Sequence, residues 1–220
     1  MKLVRKKTSF LAFFLFNAVT GYGMTFNFQT LRNSNSIEIN LTTNGLFAKE
    51  GIRGSFSSIE GEIDFSVANP NLTSGKILLD SRSLHFGYHR TDSDAQKKEW
   101  LDSSRFPKIS FRLATLKNFN WRGRSLFAEA HGFVLFKESS KAISLPVSIR
   151  YLRAERRNFD GKKGDLLTIK GETRLSLKDL GLQQGPSFGD ILKDISVKIS
   201  LVGASNRIRP LLPTRLLASP

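Results

Sequence analysis

Residues Glu99–Phe111 read EWLDSSRFPKISF. The first half has the look of a helix end, with Trp100 and Leu101 on its inner side. The second half alternates, Ile109, Phe111 and Leu113 against Ser110 and Arg112, which is the period of a half-buried strand. Phe106-Pro107 stands between them. Proline has no amide hydrogen, so at a strand's first residue it gives up no ladder bond, and its ring pushes Phe106 into an extended conformation. The stretch predicts a helical segment that drops without a linker into a strand. Just upstream, Tyr88–Ser104 carries the helix, with Asp92 or Ser93 as its cap.

Outward from this junction the dominant period is two. Ile37, Ile39 and Leu41 alternate with Glu38 and Asn40, and Ile63, Phe65 and Val67 alternate with Asp64 and Ser66. The same pattern runs through Ile143, Leu145, Val147 and Ile149, through Leu167, Ile169, Leu175 and Leu177, and through Ile195, Val197, Ile199 and Leu201. Asn69-Pro70-Asn71, Asn120 to Gly123, and Asp160-Gly161 to Gly164 supply turns. The count is about eight strands, spaced as in an antiparallel barrel or sandwich, and closure into a barrel removes exposed edges. Two segments break the rhythm: Tyr88–Ser104, and Lys178–Asp190 with Leu180, Leu182 and Phe188. Long irregular connections of this kind cover barrel mouths. The stretch from Ala204 to Pro220 holds Arg and Pro without alternation and reads as a basic, disordered tail.

The chain has 220 residues, enough for one sizeable core, and a formal charge of +15. Residues 1–23 place Lys2, Arg5, Lys6 and Lys7 ahead of an apolar run from Phe10 to about Val19, then small residues at Gly21 and Gly23, the layout of a signal peptide. Its removal takes four cations from +15 and leaves +11, so the mature chain stays basic. Cysteine is absent, so stability rests on apolar burial and not on disulfides. A periplasmic location is expected, with secretion or anchoring by an uncleaved signal as the alternatives.

The order of several pieces resembles the YceI-like family of exported, lipocalin-like barrels. The pieces are Ser36–Ile39, Gly54–Phe65, Trp100-Leu101, Phe106–Phe111, His131–Phe136 leading into Ile143–Val147, and Ser176–Leu182 ahead of the last strand. The resemblance implies an all-β fold: an antiparallel eight-stranded lipocalin-like barrel over residues 24–203, with one helical insertion covering an end. Two departures stand out. Thr43-Asn44-Gly45 occupies the region where members carry a histidine, and Arg90-Thr91-Asp92 stands in for an Arg-Asp pair in the helix.

An eight-stranded barrel either packs its interior or encloses one small ligand, and the alternating stripes fit both. The resemblance favours the second, because related proteins hold a long apolar chain such as a polyisoprenoid. The ligand-binding residues expected on this reading are Trp100, Phe106 and Phe188 at the mouth, and Phe65, Phe111, Val147 and Leu177 on the wall. The partner would be an amphiphilic, lipid-like small molecule of isoprenoid or quinone type, with no cofactor, no nucleic acid and no catalysis. The oligomeric state stays open, a homodimer included.

Rival readings are a solid-core barrel acting through its basic face on an anionic membrane or a partner protein, and a metal-assisted hydrolase. For the first, Arg150, Arg153, Arg156, Arg157, Lys162 and Lys163 form a basic cluster. For the second, His85 and His89 lie near Asp92, Asp94 and Glu99. His85 precedes the expected helix, where four-residue spacing does not bring two imidazoles together, so no metal is expected. No cysteine nucleophile, G-x-S-x-G elbow, phosphate-binding glycine loop or HExxH is present.

Overall fold

The computed structural model describes residues 23–43, 51–178, 180–182 and 191–209. Residues 1–22 of the expected signal over 1–23, Asn44 and Gly45, Phe188, and the tail beyond Arg209 lie outside these residues. The strands are β1 (Met24–Asn27), β2 (Ser36–Thr43), β3 (Ile52–Phe56), β4 (Ile59–Phe65), β5 (Ser74–Asp80) and β6 (Leu84–His85). After the junction come β7 (Lys108–Arg122), β8 (Ser125–Phe136), β9 (Ser139–Leu152), β10 (Leu166–Ser176) and β11 (Ile191–Ala204).

Eight of them close a ring in the order β1-β4-β5-β7-β8-β9-β10-β11, and Asn27 opposite Ala204 completes it. This is the antiparallel lipocalin-like barrel expected from alternation and resemblance. The closing strand, β1, was not anticipated: four residues are too few to show a period. Further along β11, β2 adds to the same edge, with Ile37 opposite Ile199, and β3 and β6 follow it outward.

The barrel therefore has two unlike ends. At one, the mouth, the chain from Gly87 to Pro107 covers the interval between β6 and β7. β7 begins directly after Pro107, whose carbonyl accepts the Ser81 amide at 2.9 Å. The Phe106 carbonyl accepts the Ser81 hydroxyl at 2.8 Å. Proline thus keeps its acceptor in use while its missing donor falls where the ladder has not begun.

The helix at the mouth, α1 (His89–Gln96), starts earlier than the expected cap at Asp92 or Ser93, with Tyr88 at the N-cap position. Asp92 sits in the first turn instead, where its carboxylate accepts the Phe86 amide and faces the positive end of the helix dipole. Trp100 and Leu101 follow the helix in a knot of turns held by Leu101 N–H to Ala95 O at 3.0 Å and Phe106 N–H to Asp102 O at 2.8 Å. Both side chains are buried, Trp100 to 2% exposure.

The other end is filled. Phe26, Phe28 and Phe65 are almost fully buried, and Tyr151 meets Phe26 edge-on at 6.2 Å and Phe65 at 6.5 Å. Burial of each phenylalanine contributes roughly 2–3 kcal/mol. The turn expected between Asn120 and Gly123 lies at Gly123-Arg124, because β7 runs on through Trp121 and Arg122.

Ala204, assigned to the tail from sequence, ends β11, and residues 205–209 are tied to the loop ahead of β10. Arg156, in the short helix α2 (Arg156–Asp160), donates to Asp160 Oδ2 at 3.0 Å, Ser205 O at 3.2 Å and Asn206 Oδ1 at 2.5 Å. Asp165 accepts from the Ala154 and Arg209 amides and from the Tyr151 hydroxyl. Arg156 is 2% exposed, which removes it from the basic surface cluster in which its sequence neighbours had placed it.

Candidate functional site

Strand alternation turns one side chain in two toward the barrel axis, and at the mouth end these side chains do not meet. They leave a cavity of about 140 Å³. Measured for the centres of water-sized molecules, this is on the order of ten times what one water requires. The wall includes Ile39 from β2, Ile77 from β5, Ile143 from β9, Leu175 from β10 and Val197 from β11. Leu84, Trp100, Leu101, Leu180 and Leu182 form the roof. Trp100 is held against Phe86, their ring centres 6.0 Å apart.

A second cavity of about 50 Å³ lies deeper. Ile77, Phe111, Leu145 and Ile199 line both, so these four side chains form the partition between the chambers. The interior is therefore hollow toward the mouth, divided at Phe111, and solid at the far end.

Among the described residues, Ser110 and Thr173 are the only polar ones lining the outer chamber, and no titratable group lines it. Such a wall takes up apolar surface from water and fixes no orientation through charge.

Of the residues expected from sequence, Trp100 lies in the roof and Phe111 in the partition, and Val147 lines the inner chamber. Phe65 lies at the filled end against Trp121 and Tyr151, each ring centre 6.5 Å away. Leu177 is buried in the core and lines neither chamber, though its carbonyl accepts the Leu182 amide at 2.9 Å and so positions part of the roof. Phe106 is half-buried with the Arg105 guanidinium 4.8 Å over its ring, and it too lines neither chamber. Phe188 lies outside the described residues.

Sequence reading missed Ile77, Leu79 and Val134. All three sit in continuous apolar runs, Ile77-Leu78-Leu79 and Val134-Leu135-Phe136, where period two is invisible.

The histidines stand outside the barrel interior. His85, on β6, is exposed with Nδ1 4.0 Å from Asp92 Oδ2, and His89 is the exposed first residue of α1. His131 lies on the outer wall between Glu129 Oε2 at 3.3 Å and the Ser144 hydroxyl at 3.5 Å. Both of those contacts reach Nε2. A serine relay needs the acid on one imidazole nitrogen and the hydroxyl on the other, so this trio lacks the geometry of a triad.

A family model described as the YceI-like domain matches residues 20–203. UPF0312 proteins from strains of Vibrio cholerae serotype O1 are 24% identical over 132 residues, which covers 60% of this chain. The match spans 65% of the length of those relatives, slightly under two thirds. Among solved structures, BcnA of Burkholderia cenocepacia superposes with a TM-score of 0.63 at 14% identity, over 78% of this chain and 97% of BcnA. The YceI protein of Campylobacter jejuni gives 0.59 at 15% identity, over 72% and 87%. A polyisoprenoid binding domain from Saccharophagus degradans, implicated in plant cell wall breakdown, gives 0.61 at 10% identity, over 84% and 99%. At these identities the likeness is one of fold.

Proposed function

This chain belongs to the YceI-like family, and from that premise we propose that it is an exported binding protein for an amphiphilic lipid of isoprenoid or quinone type. The tail occupies the outer chamber beneath Trp100, with Phe111 as a further contact, and reaches Val147 only where it passes the partition into the inner chamber; the head stays at the rim of the cover. The role is carriage, storage or sensing, and the compartment is the periplasm, to which residues 1–23 direct the chain.

The observation that carries this reading is the outer chamber itself, roofed by a tryptophan and lined, among the described residues, by aliphatic and aromatic side chains with two hydroxyl-bearing exceptions. Each methylene moved there from water gains about 0.8 kcal/mol, so a tail of modest length binds without polar contacts. The likeness in fold to a polyisoprenoid binding domain supports the same reading.

Native mass spectrometry of protein purified from its own cell envelope tests it. A stoichiometric apolar adduct is expected, and it should be lost in Val134→Phe, which fills the chamber from β8. Protein that carries no adduct and takes up no polyprenol or quinone on incubation would refute the proposal.

A further inference from the structure

The filled end of the barrel differs from the mouth in charge as well as packing. At the mouth, cations and acids are interspersed, and several are paired, Arg82 with Asp80, Lys97 with Asp94, and Arg105 with Glu138, while Lys98 and Lys141 are exposed and in no ion pair among the described residues. At the filled end, Arg122, Arg124, Arg153, Arg157, Lys162 and Lys163 are all exposed, and none of them is in an ion pair among the described residues. Among the described residues the one cation in an ion pair there is the buried Arg156.

Large apolar side chains stand exposed among these cations. Leu72 at the β4–β5 connection is 63% exposed, Phe159 on α2 54%, Ile208 beyond β11 40% and Trp121 at the end of β7 36%. The strand registers bring all four connections to one rim: Met24 faces Phe65, Arg122 faces Ser125, and Leu166 faces both Leu152 and Ala204.

We propose that the filled end is a docking surface for an anionic lipid bilayer. The unpaired cations meet the headgroup charge, and Leu72, Trp121, Phe159 and Ile208 enter the boundary between headgroups and acyl chains. Charge alone would fit nucleic acid equally, but branched aliphatic side chains at the tip of a basic face find no partner on a phosphate backbone. The mouth, at the opposite end, then faces away from the bilayer. This holds whatever the chamber contains, so it stands or falls separately from the proposed ligand.

The test is sedimentation of the full chain with vesicles of phosphatidylglycerol and phosphatidylcholine against phosphatidylcholine alone, at rising salt. Binding is expected only to the anionic vesicles and should weaken with salt. Arg124→Glu with Lys162→Glu and Lys163→Glu should lower it about tenfold or more. Leu72→Ser with Phe159→Ser should lower it at constant charge, and Lys98→Glu with Lys108→Glu at the mouth should leave it unchanged.

The two tryptophans report orientation without any charge change. Brominated acyl chains should quench wild-type emission, and Trp121→Phe, which leaves Trp100 at the mouth, should abolish the quenching. The proposal is overturned if the mouth variant weakens binding as much as the filled-end variants, if quenching persists in Trp121→Phe, or if duplex DNA binds as tightly as anionic vesicles and the serine variant has no effect.

Discussion

The ring of Phe111 lies over Gly132: a Cβ at position 132 would stand 2.8 Å from both Cε2 and Cζ of that ring. The missing side chain on β8 is what lets the phenyl group extend across the barrel as the partition between its chambers. Gly132 faces Leu113 and Phe111 faces Val134, so the ring reaches diagonally to a position two residues from its own cross-strand partner.

Phe111→Ala should merge the two chambers and lengthen the longest apolar chain the barrel retains, at a loss of about 3 kcal/mol in stability. Gly132→Ala should act oppositely. The new methyl group would crowd the ring and the Arg112 carbonyl, costing about 1–3 kcal/mol and narrowing the partition. A ligand series of graded chain length, read by native mass spectrometry beside denaturant titration, separates the two outcomes.

Trp100→Ala should remove the centre of the roof. The expected loss is about 3 kcal/mol or more, as for other deeply buried tryptophans, with faster amide exchange concentrated in residues 89–106 and faster release of bound lipid. Unchanged exchange in that segment would show that the cover is held by other contacts.

Arg156→Ala should cost about 3 kcal/mol, because the guanidinium is buried and its loss strands Asp160 and two acceptors of residues 205–206. The neighbouring Arg157→Ala, exposed and outside any ion pair among the described residues, should stay within about 0.5 kcal/mol of wild type. The Arg156 hydrogen bond also holds the Asp160 carboxyl below the usual aspartate range. Its contribution is therefore complete above the unfolded value and is lost as pH falls through the lower folded one. Acid denaturation of wild type should be steeper than that of Arg156→Ala.

Tyr151 should ionise late, since burial, reinforced by the hydrogen bond to Asp165, pushes its phenol well above the ordinary value near 10. A raised folded value means that stability is intact below the unfolded value and declines as pH rises above it. Tyrosinate absorbance against pH should show a late step that vanishes in Tyr151→Phe, and that variant should lose less stability above about pH 10.

The alternation of Ile63 and Phe65, or of Leu145, Val147 and Ile149, was enough to identify strands and the face each turns inward, because side chains on a strand point to opposite sides in strict succession. Phe106-Pro107 likewise marked where cover becomes wall, since proline's missing donor costs no ladder bond where the strand has not begun. The ordered set of motifs was enough for the family. Alternation is blind, however, to depth along the barrel axis and to what faces a side chain across it. Phe65 and Phe111 share a parity, yet one is locked among aromatic rings at the filled end and the other divides two cavities. Arg156 and Arg157 look alike in sequence, and the backbone turn of α2 buries one and exposes the other. Those distinctions arise from side-chain volumes contributed by strands remote in the chain, and only the closed barrel brings them into contact.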